Sequence, residues 1–274
     1  MIDMKKVIFP IIVFMLMVNA VYAAGIPQIG FLSRLNTSEE EFARIVQNAQ
    51  RSGSWRMLSN RHDLHSVKFY DSLTAMLMAL HSGEIDELAL PEVTAEYIAE
   101  ADSRIEVCCV SRTNASMSLA LGFMKENTAL AEKFNAALRE MRQDWSLAEL
   151  QGVYIHKKGR IKPVKFTTFK GAETVKVAIT GDFPPIDYID EAGRAAGFNA
   201  ALLAELARRM KVNIVLVNIE AGARTSALAS GRVDAVFWFE TSDGNTWKYD
   251  APEGVLLSEP YYHWSKFLHV RKVR

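Results

Sequence analysis

The pattern of apolar and polar positions between 175 and 239 sets the frame for the chain. Residues 175–179 form a short β-rich run. Pro184 and Pro185 then force a turn, because proline continues neither a helix nor a central strand. Phe198, Leu202, Leu206 and Met210 recur every four residues and draw one helix face. The pattern predicts a strand over 212–217, a short helix over 224–230 stopped by Gly231, and a third strand over 233–239. Such a βαβαβ order builds a parallel sheet with helices on its faces. Ligands of such sheets bind at the carboxyl ends of the strands. Those ends carry the loop 180–187 and the stretch 238–246.

The earlier part of the chain repeats the alternation. Strands are predicted over 29–32, 67–70 and 85–90. Two overlapping capping boxes, Thr37 with Glu40 and Ser38 with Glu41, start a helix. A second helix follows Asp71 or Ser72, with Leu73, Met76, Leu77 and Leu80 on one face and a stop near Gly83. A third spans 93–100. Residues 105–110 and 118–124 read as two separate strands, and 129–143 as a helix with Leu130, Phe134, Leu138 and Met141 inward. Asp144 to Leu150 adds a helical turn or two. The basic run 156–172 reads as a linker. An internal echo links the two parts: Ala79-Leu-His-Ser-Gly-Glu-Ile-Asp86 matches Ala227-Leu-Ala-Ser-Gly-Arg-Val-Asp234. Identity at five offsets favours pseudo-symmetric lobes.

Composition changes this picture in three places. Lys5 and Lys6 precede an apolar run over 7–18, and Val21-Tyr-Ala23 suits cleavage, so 1–23 is expected to be a signal peptide of an exported, periplasmic protein. The run is shorter than the ~20 residues that a membrane span needs. Formal charge is zero, or about −1 by count once Asp3, Lys5 and Lys6 are set aside, which argues against a nucleic-acid partner. The two cysteines, Cys108 and Cys109, are adjacent, build no disulfide framework and read as small buried hydrophobes.

Several motifs resemble the family 3 extracytoplasmic solute-binding proteins, the periplasmic amino-acid-binding type. They are Gly181-Asp-Phe-Pro-Pro-Ile-Asp-Tyr188, Gly197-Phe198, the stretch Ala227 to Asp234, and Leu257-Ser-Glu-Pro-Tyr-Tyr262. In that family they open the chain; here they close it. The resemblance implies an α/β, two-lobed periplasmic-binding-protein type II fold, circularly permuted. The expected division is a smaller lobe over 24–104, a hinge over 105–112, a larger lobe from 113–155 and 173–274, and 156–172 joining the usual termini. The expected hinge is a single covalent connection, with the N-terminal segment around 25–29 hydrogen-bonded beside it.

The resemblance implies a ligand site between the lobes, but the usual clamp residues differ. No arginine lies between Val233 and His269, where the family grips an α-carboxylate. The family's aspartate position falls on Pro91, next to Glu92. Candidate ligand-binding residues are therefore Phe183 and Trp238 as walls, Asp182 and Thr241, Arg224 and Arg34 as anion donors, and Glu92 as a cation partner. Trp238 and Phe239 point to opposite strand faces, so one of the two is expected in the core. Three functions compete. The first is a receptor for a small polar ligand (an amino acid or related compound) serving a membrane ABC permease or a sensor. The second is a module that has lost its ligand and acts by interaction. The third, an enzyme on the same scaffold, has little support: no metal-ligand spacing, phosphate loop or nucleophile elbow is present. His62 and His65 lack a third ligand nearby in sequence. No cofactor and no metal are expected.

Overall fold

The computed structural model describes residues 28–32, 55–57, 66–156, 164–242 and 252–273, together with the helical positions Glu40, Arg44, Asn48 and Arg51. Outside the described residues lie the predicted signal peptide, Arg34, the capping boxes at Thr37 and Ser38, His62, His65, linker residues 157–163, and the side chains of Trp238, Phe239 and Thr241. Among the described residues no helix is long and apolar enough to cross a membrane.

Two sets of three parallel strands flank a central antiparallel ribbon. The first set is β1 (Gln28–Leu32), β3 (Ser66–Tyr70) and β4 (Glu87–Pro91), with β1 between the other two. The second is β6 (Thr174–Ile179), β10 (Asn213–Asn218) and β11 (Ala235–Ser242), with β6 in the middle. The ribbon is β5 (Ile105–Met124) and β13 (Tyr262–Lys272). Sheet order is β10-β6-β11-β5-β13-β4-β1-β3, and β2 (Trp55–Met57) and β12 (Val255–Leu257) add to β5. Each parallel set thus has the order second, first, third in chain sequence.

Helices connect the parallel strands and pack on the sheet. They are α1 (Leu73–Ser82), α2 (Glu92–Ala101), α3 (Thr128–Gln143), α4 (Ser146–Gln151), α5 (Phe198–Met210) and α6 (Arg224–Ala229). Their apolar faces join the strands in one main core that includes Met76, Leu80, Phe123, Phe134, Phe198 and Leu202. In α3 the inward stripe is Ala131, Phe134, Ala137, Leu138 and Met141, whereas Leu130 is only partly buried. The Ser72 hydroxyl caps α1 by accepting from Ala75 N at 3.1 Å, and Gly83 ends it in the left-handed region at φ 82°.

The internal echo is a repeated structural joint. Glu84 N donates to Ala79 O, and Arg232 N to Ala227 O, at 2.9 and 3.0 Å. Gly83 and Gly231 both take positive φ, 82° and 71°, which favours glycine. Asp86 then bonds Gln28 twice: its N–H donates to Gln28 O at 2.9 Å, and its Oδ2 accepts from Gln28 N at 2.8 Å. Asp234 does the same to Lys176, at 2.8 Å both ways.

Two expectations need correction. Residues 105–110 and 118–124 are not separate strands but parts of one twenty-residue strand. The polar stretch between them interrupts the apolar pattern without interrupting the backbone pairing. The neighbour of 105–112 is also different from expectation. It is the end of β13, from Lys266 to Lys272, whereas Gln28 and Ile29 pair with β3 and β4. Two strands, β5 and β13, therefore run between the parallel sets; β5 is the covalent connection, and β13 reaches the first set by pairing with β4. Residues 267–271 pair with β4, so the last strand ends beside the first set.

Candidate functional site

The site forms where the carboxyl ends of β1 and β6 meet. After β6 the chain turns through Thr180 and Gly181 into a small three-stranded sheet of β7 (Asp182–Phe183), β8 (Asp187–Ile189) and β9 (Ala195–Ala196). Gly181 takes φ 77°, and a Cβ there would stand 2.7 Å from the Ile189 side chain. Gly197 takes φ 92°, and a Cβ would meet Pro185 O at 2.5 Å. That close approach lets Phe198 N and Asn199 N donate to Pro185 O and Ile186 O, at 3.0 and 2.8 Å, tying the loop to the start of α5. Both glycines are thus required by the shape of the loop.

This framework gathers two carboxylates and one guanidinium. Asp187 is buried, and its Oδ2 accepts from Thr180 N and Thr180 Oγ1, both at 3.0 Å. Arg224, the first residue of α6, is only 5% exposed, and its Nη1 donates to Phe237 O at 2.9 Å. Asp182 reaches across to the other parallel set: its Oδ2 accepts from Leu73 N at 3.1 Å. That is the first N–H of α1, where a carboxylate is favoured by the helix dipole. Burial dominates the electrostatics. It raises both aspartates above the usual carboxylate range and pulls Arg224 down to about 10, although the opposite charges attract one another. Tyr261 donates to Asn199 Oδ1 at 3.0 Å and packs its ring near Phe198 and Phe237.

A cavity of about 50 Å³ lies among these groups, lined also by Leu32 and Asp71 from the first set and by Phe183 and Ile186. A water needs ~10–15 Å³ by such a measure, so the space suits a few waters in this arrangement. Of the sequence candidates, the structure brings Asp182, Phe183 and Arg224 to this cavity. Arg224 is buried there and is not a solvated helix residue. Glu92 begins α2 instead and pairs with Lys266 at 3.0 Å, apart from the cavity lining. Trp238 and Thr241 are described only by their backbone pairing with Ala120 and Met117. Asp187, Asn199, Thr180 and Asp71 were not among the candidates. The signal for Asp187 was a single acid within an otherwise apolar Pro-Pro-Ile context, five residues after Asp182.

The structure thus places a polar cavity between two parallel sets of strands, beside the loops at their carboxyl ends. Residues 175–273 match the family model of bacterial extracellular solute-binding proteins, family 3. That family consists of substrate-binding proteins and not of enzymes. No curated protein matches the chain.

The chain is also similar to solved structures of low identity. The zinc-bound ligand-binding component of an ABC-type import system from Staphylococcus aureus is 11% identical, with TM-score 0.44, covering 90% of this chain and 66% of that one. The Bordetella pertussis BvgS VFT2 domain is 13% identical, with TM-score 0.41, covering 93% and 83%. The periplasmic aliphatic sulphonate binding protein SsuA from Escherichia coli is 12% identical, with TM-score 0.40, covering 90% and 64%. The chain thus spans about two thirds of the length of the first and third of these.

Proposed function

We propose that the chain is a periplasmic receptor that captures a small, amine-bearing polar solute between its two parallel sets and presents it to a membrane permease or sensor. The observation that carries this reading is the charge of the cavity. Among the described residues, Asp71, Asp182 and Asp187 line it with one cation, Arg224. That cation is already turned to Phe237 O and to the aspartates, so it is poorly placed to serve as a fork for a ligand carboxylate. A ligand ammonium group would offset the excess of acid. A ligand larger than a few waters requires the cleft to open, with Asp182 leaving Leu73 N.

The permuted motif order supports a rearranged member of the type II architecture, in which the linker at 156–172 replaces the usual termini. A second reading is favoured by one observation: Asp182 itself occupies the helix end at which a ligand anion would dock. On that reading the module is closed on its own side chain and acts by protein interaction.

Titration calorimetry with lysine, ornithine and putrescine, set against glutamate and a small sulfonate, separates these readings. Amine-bearing solutes are expected to bind, and Asp187→Asn to weaken them by about tenfold or more, as loss of a buried charge partner does. Binding of the anions alone would sink the cationic-ligand reading. Silence across both sets, with the protein folded, would favour the interaction module.

A further inference from the structure

A second cluster of chemically able side chains lies away from the cavity, on the strands β4, β13 and β5. Glu87, His269 and Cys109 each contribute a donor atom, and the three atoms lie within 4.8 Å of one another. His269 is fully buried, and its Nδ1 is 2.9 Å from Glu87 Oε2. Cys109 is the strand partner of His269. A register shift explains why sulfur faces imidazole here. His269 pairs with Cys109 but Val270 pairs with Val107, so Cys108 is an extra residue in β5. Such a bulge turns neighbouring side chains that would otherwise alternate toward one side. The Cys108 and Cys109 sulfurs are accordingly 3.3 Å apart, and the Cys108 thiol also donates to His269 O at 3.5 Å.

We infer that Glu87, Cys109 and His269 form a binding site for a thiophilic divalent cation of the zinc class. The donor set is one thiolate sulfur, one imidazole nitrogen and one carboxylate oxygen. Hard cations such as calcium and magnesium take all-oxygen shells, whereas sulfur and imidazole together select zinc-like ions. The distances suit such an ion. Tetrahedral bonds of ~2.0–2.1 Å to nitrogen and oxygen place those two donors about 3.3 Å apart, so the present 2.9 Å contact needs to open only slightly. The three ligands leave one position for solvent or an exogenous donor. Cys108, held by the His269 carbonyl, stands beside the ion and is not required for binding. The nearby cation Arg271 pairs with Glu106 at 2.8 Å. Binding releases the thiol proton of Cys109 and any proton on His269 to solvent, and no bond is oxidised. The ion would clamp β4 to both strands of the ribbon, independently of the cavity ligand.

Cobalt(II) is the probe, because a thiolate ligand gives it a charge-transfer band that water and carboxylate do not. Reduced, metal-free mature protein is expected to show this band at one equivalent, to lose it on adding zinc, and to melt higher with either ion. Cys109→Ser should abolish the band while Cys108→Ser keeps it. Glu87→Gln, at a partly exposed position, should weaken cobalt affinity about tenfold or more without unfolding the chain, as judged by circular dichroism. A folded wild-type protein without the band, or a Cys109→Ser variant that retains it, overturns the site. So does equal loss in Cys108→Ser, or a protein isolated one H₂ light in mass because the two thiols are joined.

Discussion

Asp187 is the residue whose chemistry is most exposed to test. Burial raises its pKa in the folded protein above its unfolded value. Folding therefore favours the protonated form, and the folded state binds more protons between the two pKa values. Stability from this group is fully present below the unfolded pKa and is lost as pH rises through the folded one. Asp187→Asn keeps the shape and still accepts from Thr180, but removes that slope. The melting temperature of the wild type is thus expected to gain on the variant as pH falls from neutral toward 4, the usual carboxylate range. Parallel pH profiles of the two proteins would contradict this account. At this scale the sequence was partly legible. Asp182, Phe183 and Arg224 could be picked from the turn and the helix start. Asp187 and Asn199 could not, because nothing in a local pattern says which polar groups the folded loop turns inward. Glu92 begins α2 and pairs with Lys266, which a count along the strand does not reveal. The Glu87–Cys109–His269 cluster comes from three distant positions that only the sheet brings together.

At the scale of elements, the repeated helix–glycine–strand joint makes an internally controlled experiment. Asp86 and Asp234 each accept one backbone N–H, from Gln28 and Lys176, through an exposed carboxylate. Asp86→Ala and Asp234→Ala should each cost about 1 kcal/mol, the net worth of such a hydrogen bond, in urea denaturation. A change in only one of them would mean that the two joints are alike in outline but not in energy. Individual elements were legible wherever the apolar period was clean, as in α1, α5 and β6. The long strand β5 was not, because its middle is polar. There the backbone pairs on both sides while the side chains give no alternating signal, and the length of a strand is decided by its neighbours in the sheet. Of the three short strands after β6, β7 fell within the predicted turn and β8 and β9 were not predicted, since two- and three-residue strands carry no period at all.

For the whole molecule, the continuous sheet sets the cooperativity. One core spans helices from both parallel sets, and the ribbon hydrogen-bonds to each. Scanning calorimetry of the mature protein is expected to show a single transition, with van't Hoff and calorimetric enthalpies in agreement. Two resolved peaks would mean that the sets melt separately. The overall two-part order was readable from alternation and from the echo, because each set needs its own strand–helix–strand period. The path between the sets was not, since it depends on which strand lies beside 105–112. That path has a mechanical consequence. β5 and β13 are antiparallel and bonded from Tyr262–Leu119 at one end to Lys272–Ile105 at the other. Between Trp264 and Lys266, Ser265 alone stands opposite residues 113–116, a wider irregularity than the one-residue bulge between His269 and Val270. A load that pulls the two parallel sets apart along this ribbon is carried in shear, with many rungs strained at once, whereas a bend or twist concentrates at the irregular stretch. The molecule is therefore stiff in tension and compliant in torsion, and a partner that grips both ends can twist it far more easily than stretch it.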